Sequence, residues 1–97
     1  MLTGKQKKAL RSMANTLKPI FQVGKDGVSY NLINTLSDAL EAHELVKLSV
    51  LKTCPEDVRE VALDLGSGTS AEVVQIIGRT ITLYRESREN PRIELPR

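Results

Sequence analysis

The chain has 97 residues, 40% hydrophobic and only 3% aromatic, which suits one domain with a single aliphatic core and leaves little room for a second. No apolar run approaches the ~18 residues of a membrane span, residues 1–11 lack a signal-like apolar stretch, and the lone Cys54 can neither close an internal disulfide nor join a zinc cluster, so a reducing cytoplasm is the expected location. The net charge of +2 conceals segregation: residues 1–30 carry +5, residues 31–78 carry −5 and residues 79–97 carry +2, so the two ends would form a basic patch for an anionic partner if they meet in space.

In chain order, Thr3-Gly4-Lys5-Gln6 has the form of a capping box, so a helix is expected to start after Thr3. At 100° per residue, Ala9, Leu10, Met13 and Leu17 share an apolar arc, while Lys5, Lys7, Lys8 and Arg11 gather on the opposite side. Lys18-Pro19 is expected to stop this helix, because the residue before proline avoids the helical region. Residues 20–23 read as a short strand and Gly24-Lys25-Asp26-Gly27 as a turn. A second helix is expected over residues 29–43, with Val28, Leu32, Ile33, Leu36, Ala39, Leu40 and His43 inward and Asp38 and Glu41 on solvent.

Residues 46–50 alternate with period two and predict a strand. Pro55 suits the first helical position of a third helix, and Glu56 and Asp57 suit its first turn. Val58, Val61, Ala62 and Leu65 make its stripe, with an end between Gly66 and Thr69. Residues 73–77 and 80–85 predict two strands joined at Gly78-Arg79, a two-residue hairpin turn with glycine first. Residues 86–97, polar and punctuated by proline, predict an extended tail. The order α-β-α-β-α-β-β argues for an α/β chain of the α+β two-layer kind, a four-stranded mixed sheet covered by helices, in one domain over residues 1–97.

Three groups of residues carry candidate chemistry. Gly24 and Gly27 let the backbone turn tightly and approach a ligand, the following helix directs its free N–H groups toward the loop, and Lys25 adds a cation, an arrangement that suits phosphate. Asp26 at the same tip opposes it. The cationic side of the first helix could meet several phosphates, with Lys18 between helix and loop. Arg79 and Arg85 make a third group, to which Arg88 and Arg92 of the tail could add. Phe21, Tyr30 and Tyr84 are too few to form a base-stacking sheet, which favours recognition of backbone and shape. His43 reads as a packed histidine and Tyr84 as structural. Cys54 lacks a histidine near it in sequence. No acid/base pair, triad, metal cluster or phosphate-binding P-loop is apparent, so no catalysis, cofactor or small-molecule substrate is expected.

Several blocks together resemble a known family. Leu2-Thr3-Gly4-Lys5-Gln6-Lys7, Leu17-Lys18-Pro19, Val23-Gly24-Lys25-Asp26-Gly27-Val28, His43-Glu44-Leu45-Val46-Lys47, Gln75-Ile76-Ile77-Gly78-Arg79-Thr80-Ile81-Thr82-Leu83-Tyr84-Arg85 and the closing Ile93-Glu94-Leu95-Pro96-Arg97 resemble, in matching order, the YhbY family of stand-alone CRM domains. The resemblance implies a fold similar to the C-terminal domain of translation initiation factor three. It also implies association with ribosomal RNA in precursors of the large ribosomal subunit, and a role in their assembly. The family's RNA surface would fall on Gly24, Lys25, Asp26 and Gly27, and beyond them on Lys5, Lys7, Lys8, Arg11, Lys18, Arg79 and Arg85. The expected protein is therefore a monomeric RNA-binding assembly factor that grips structured RNA between the loop and the first helix. The competing expectation is an adaptor that holds a basic protein through Asp38, Glu41, Glu60 and Asp64. A small nuclease is a remote third reading.

Overall fold

A computed structural model describes residues 2–97. The capping box forms as its spacing dictates: the Gln6 N–H donates to Thr3 Oγ1 at 3.1 Å and the Thr3 N–H to Gln6 Oε1 at 3.0 Å. Helix α1 (Gly4–Ala14) follows, and it stops short of Lys18-Pro19. The Asn15 N–H closes the last turn on Arg11 and Ser12, and the Thr16 hydroxyl donates to the Met13 carbonyl at 3.1 Å. Short polar side chains of this kind bond to nearby backbone and end helices early. Leu17, expected on the helical stripe, lies beyond the helix and is half-exposed.

Strand β1 (Phe21–Val23) leads through the glycine loop into α2 (Tyr30–His43), whose N-cap Ser29 accepts from the Leu32 N–H at 3.1 Å. Strand β2 (Leu45–Val50) comes next, then α3 (Val58–Thr69), β3 (Glu72–Ile77) and β4 (Thr80–Tyr84). Pro55 is not the first residue of α3, as the sequence suggested. Asp57 caps that helix by accepting from the Arg59 N–H at 3.3 Å. Aspartate is a strong N-cap, and its use displaces the start past Pro55 and Glu56. The helix runs through Gly66 and Gly68, and at Gly68 an added Cβ would sit 2.8 Å from Ile33 Cδ1. The missing side chain thus lets α2 and α3 pack closely.

The sheet order is β1-β2-β4-β3, with β1 parallel to β2 and the other pairs antiparallel. This is the expected mixed four-stranded α+β architecture. The main core holds Leu36 and Leu40 of α2, Val61, Ala62 and Leu65 of α3, and Val46, Leu48, Val50, Ile81 and Leu83 of the sheet. Strand side chains alternate between faces, so Leu45 and Tyr84 turn the other way. There Leu10 and Ala14 of α1, with Val74, complete a second cluster, against which Leu2, Ile93 and Leu95 pack.

Residues 86–97 contain no helix or strand, yet they are tied down rather than extended into solvent. Glu44 is fully buried at the exit of α2 and accepts the N–H groups of Ser87 (2.9 Å), Arg92 (2.6 Å) and Ile93 (2.8 Å). Glu41, expected on solvent, accepts from the Ser87 hydroxyl at 2.6 Å and from the Arg88 and Glu89 N–H groups. These bonds, led by that of Ser87, hold the Glu41 carboxyl at about 2. Burial alone would raise Glu44, but its three N–H donors prevail and lower it.

Both acids are depressed on folding, so they stabilise the docked tail above their unfolded values and lose that contribution as pH falls through the folded ones. Acidification from about pH 4.5 toward 2 is therefore expected to free the tail, and Glu41→Gln to loosen residues 87–89 at neutral pH, read as faster hydrogen exchange at the Arg88 and Glu89 amides. For helix glycines the expectation splits. An added Cβ at Gly4 meets nothing within 4 Å, so Gly4→Ala should stabilise by up to about 1 kcal/mol. Gly68→Ala should destabilise by about 1 kcal/mol or more despite its better helix propensity. Urea unfolding of both variants measures the difference.

Candidate nucleic-acid interface

Because β1 and β2 run parallel, the end of β1 lies beside the end of β2, and Val23 pairs with Val50. The antiparallel β4 brings its start to the same end, so the Gly24–Gly27 loop and the Gly78-Arg79 hairpin turn are near neighbours. Inside the loop the Gly27 N–H donates to the Gly24 carbonyl at 3.0 Å. Gly27 has φ +64°, which favours glycine, and an added Cβ there would come within 2.9 Å of Glu56 Oε1 and displace that carboxylate. Gly24 differs: its Cβ would meet Leu51 Cδ1 at 3.6 Å and Thr53 Oγ1 at 3.8 Å, ordinary contact distances. Packing alone therefore does not demand glycine at position 24.

Lys25 and Asp26 stand exposed at the tip. Glu56, drawn out of the helix start where the sequence placed it, accepts from the Val28 N–H at 3.2 Å. One of the N–H groups near the start of α2 is thus occupied by a carboxylate, and Glu56 joins Asp26 in opposing an anion there. The Lys25 side chain, by contrast, has no hydrogen bond or ion pair among the described residues.

On the α1 side of the sheet, alternation aligns Gln22, Ser49, Thr80 and Ile77 in one row across β1, β2, β4 and β3. Gln22 and Ile77 are exposed, and Ser49 and Thr80 half-buried. Helix α1 covers the opposite end of this face, over Leu45 and Tyr84. The row thus lies between α1 and the loop end of the sheet. Lys5, Lys8 and Arg11 are exposed and Lys7 is half-buried, and Lys18 is exposed on the connection into β1. None of these five is hydrogen-bonded or ion-paired through its side chain among the described residues.

The two arginines of the third group are occupied. Arg79 donates from Nε to the Val50 carbonyl and from Nη2 to the Leu51 carbonyl, both at 2.7 Å, stitching the hairpin turn to the end of β2 beside the loop. Arg85 reaches inward between α2 and α3, donating to Ser37 Oγ (2.9 Å), the Thr69 carbonyl (2.7 Å) and the Ser37 carbonyl (2.8 Å). In the tail, Arg88 and Arg92 give backbone N–H groups to Glu41 and Glu44, and both side chains are exposed.

Two residues near the interface had no part in it on the sequence alone. Lys47 donates from Nζ to the Leu17 carbonyl at 3.3 Å, fixing an ammonium beside the end of α1. Its signal was present, since it alternates with Val46 and Leu48 and so had to face the α1 side. His43, read as a packed histidine, is exposed at the end of α2. The projection put it on the apolar stripe, but the last turn of α2 runs past the edge of the core. Among the described residues no cluster of three or more His, Cys, Asp or Glu could hold a metal ion, and no helix is long and apolar enough to cross a membrane.

Comparison with known proteins agrees with this architecture. The family model for the CRS1 / YhbY (CRM) domain matches residues 2–85. A protein of Bacillus subtilis named "Probable RNA-binding protein YqeI" is 58% identical over 96 residues, covering 99% of this chain and 100% of that protein. An "RNA-binding protein" of Haemophilus influenzae is 34% identical, covering 99% and 96%. The solution structure of SAV1595 from Staphylococcus aureus superposes with a TM-score of 0.82 at 51% identity, covering 99% and 100%. A sheet order, a glycine loop and a family match that coincide along the chain lead to one conclusion: it belongs to the CRS1/YhbY (CRM) domain family.

Proposed function

We propose that this chain is an RNA-binding protein without catalytic activity that engages structured ribosomal RNA in precursors of the large ribosomal subunit and assists their assembly in the cytoplasm, acting as a monomer. The observation that supports this reading is a set of cations without hydrogen bonds or ion pairs among the described residues: Lys5, Lys7, Lys8 and Arg11 on α1, Lys18 on the connection into β1, and Lys25 on the loop. An RNA lying across the row would release counterions from each phosphate that these side chains neutralise. The polar row offers hydroxyl and amide groups suited to 2′-hydroxyls rather than to stacked bases. Gly24, where a methyl would fit, supports close backbone approach to the ligand.

Arg79 acts on this surface by holding the hairpin turn against the loop. Arg85 is spent on internal acceptors, so the proposed interface does not extend to it. RNA as the partner is supported by relatives named as RNA-binding proteins, and its narrowing to large-subunit RNA rests on the family resemblance. The adaptor reading is weakened, because Glu41 is consumed by the tail and only Asp38, Glu60 and Asp64 remain on solvent.

Two experiments test the proposal. Lys8→Ala/Arg11→Ala/Lys25→Ala should bind large-subunit ribosomal RNA fragments more weakly and reduce the slope of log K against log salt by about one per lost phosphate contact, with thermal unfolding unchanged. Equal binding by parent and triple variant would remove this surface. Gly24→Ala should keep the fold and lose affinity, while Gly27→Ala should lose stability first, because its new Cβ meets Glu56 at positive φ. Denaturation and filter binding on the same samples separate the two effects.

A further inference from the structure

A pocket of about 410 Å³ opens where the end of α1, the approach to β1, the start of β2 and the tail converge. Its walls include Met13, Leu17, Ile20, Leu45 and Ile93, and its polar groups are Lys18, Lys47 and His43. Among the described residues no carboxylate lines it. The volume falls within the roughly 300–1,000 Å³ typical of small-ligand sites. At its mouth Met13, Leu17 and Ile20 are 37%, 37% and 55% exposed. A concave site with apolar walls and a few polar groups among them has the composition of a ligand site.

From this arrangement we infer that the pocket receives a single unpaired nucleotide of the bound RNA, its base between the aliphatic walls and its phosphate on Lys18 and Lys47. The inference rests on the RNA-binding reading and names the structural class of RNA. The Lys47 ammonium has three donors and spends one on the Leu17 carbonyl. Its remaining protons are held beside the cavity at little further entropic cost. Exposed Lys18 adds a second cation, and exposed His43 supplies ring nitrogens that can meet polar atoms at the edge of a base. A wholly apolar guest, such as an acyl chain, would leave the lysines unmatched, whereas a nucleotide joins a flat apolar face to an anion.

Position favours the same occupant. Lys18 precedes β1 and Lys25 follows it. At about 3.3 Å per residue, the three residues of β1 that lie between them span roughly 10 Å along the sheet's outer edge. One RNA can therefore touch the glycine loop and leave an unpaired nucleotide at the pocket.

The test uses two RNA hairpins of identical helical sequence, one fully paired and one carrying a single unpaired 2-aminopurine. The parent protein should prefer the second by about 5- to 100-fold, the range that burial of one base gives, with a change in probe fluorescence on binding. Ile20→Asp, at a position 55% exposed, and Lys47→Gln, both checked for unchanged thermal unfolding, should each abolish the preference while keeping affinity for the paired hairpin. Equal affinity of the parent for both hairpins, or an undiminished preference in both variants, overturns the inference. So does loss of a protein partner from these variants with RNA preference intact, which would assign the pocket to a peptide. Absence of binding to either hairpin overturns the RNA-binding reading itself, and the pocket assignment with it.

Discussion

The carboxylate of Glu44 organises the back of this molecule. It sits without solvent exposure at the exit of α2, on a backbone with φ +65°, a region that side chains other than glycine's seldom enter. A buried charge is costly unless it is fully hydrogen-bonded. Here three N–H groups from residues far along the chain supply the bonds, while the Glu44 carbonyl accepts from the Arg85 N–H at 2.9 Å. The turn from α2 into β2, the end of β4 and the course of the tail are thereby fixed around one side chain. Ile93 and Leu95 reach the second hydrophobic cluster because Glu44 directs the tail there.

The same device shapes the electrostatics. Glu41, Glu44, Glu56 and Asp57 find their partners in backbone N–H groups, with the Ser87 hydroxyl added at Glu41, rather than in lysines. Basic side chains near the N-terminus are therefore not drawn into ion pairs, and a chain of net charge +2 keeps a concentrated set of available cations. Arg79 and Arg85 follow the complementary pattern, donating to carbonyl and hydroxyl oxygens and acting as structural cross-braces.

Much of this was legible in the sequence because it rests on local rules. The capping box at Thr3, the period-two alternation of β2 and the glycine-first hairpin at Gly78 all depend on neighbouring residues. The boundaries that moved depended on competition between signals. Thr16 ended α1 before Pro19 could, and Asp57 outbid Pro55 for the start of α3. What remained hidden was long-range pairing. Nothing near Glu41 or Glu44 announces a partner more than forty residues away, so one was assigned to solvent and the other passed over. Arg85 closes a basic-looking hairpin strand, and only the packing of α2 on α3 reveals that its guanidinium points inward. The pocket escaped for the same reason, since its walls come from four separated segments.

The second cluster joins Leu2 and Leu10 to Ile93 and Leu95, more than eighty residues apart in sequence. Helix α1 forms from local signals, but its apolar side has no complete seat until residues 93–95 have docked. A chain truncated or stalled near residue 90 would leave Leu10, Leu45 and Tyr84 partly uncovered, with Glu44 missing two of its donors. Residues 92–95, irregular as they are, thus complete the cover of the second cluster and the seat of α1.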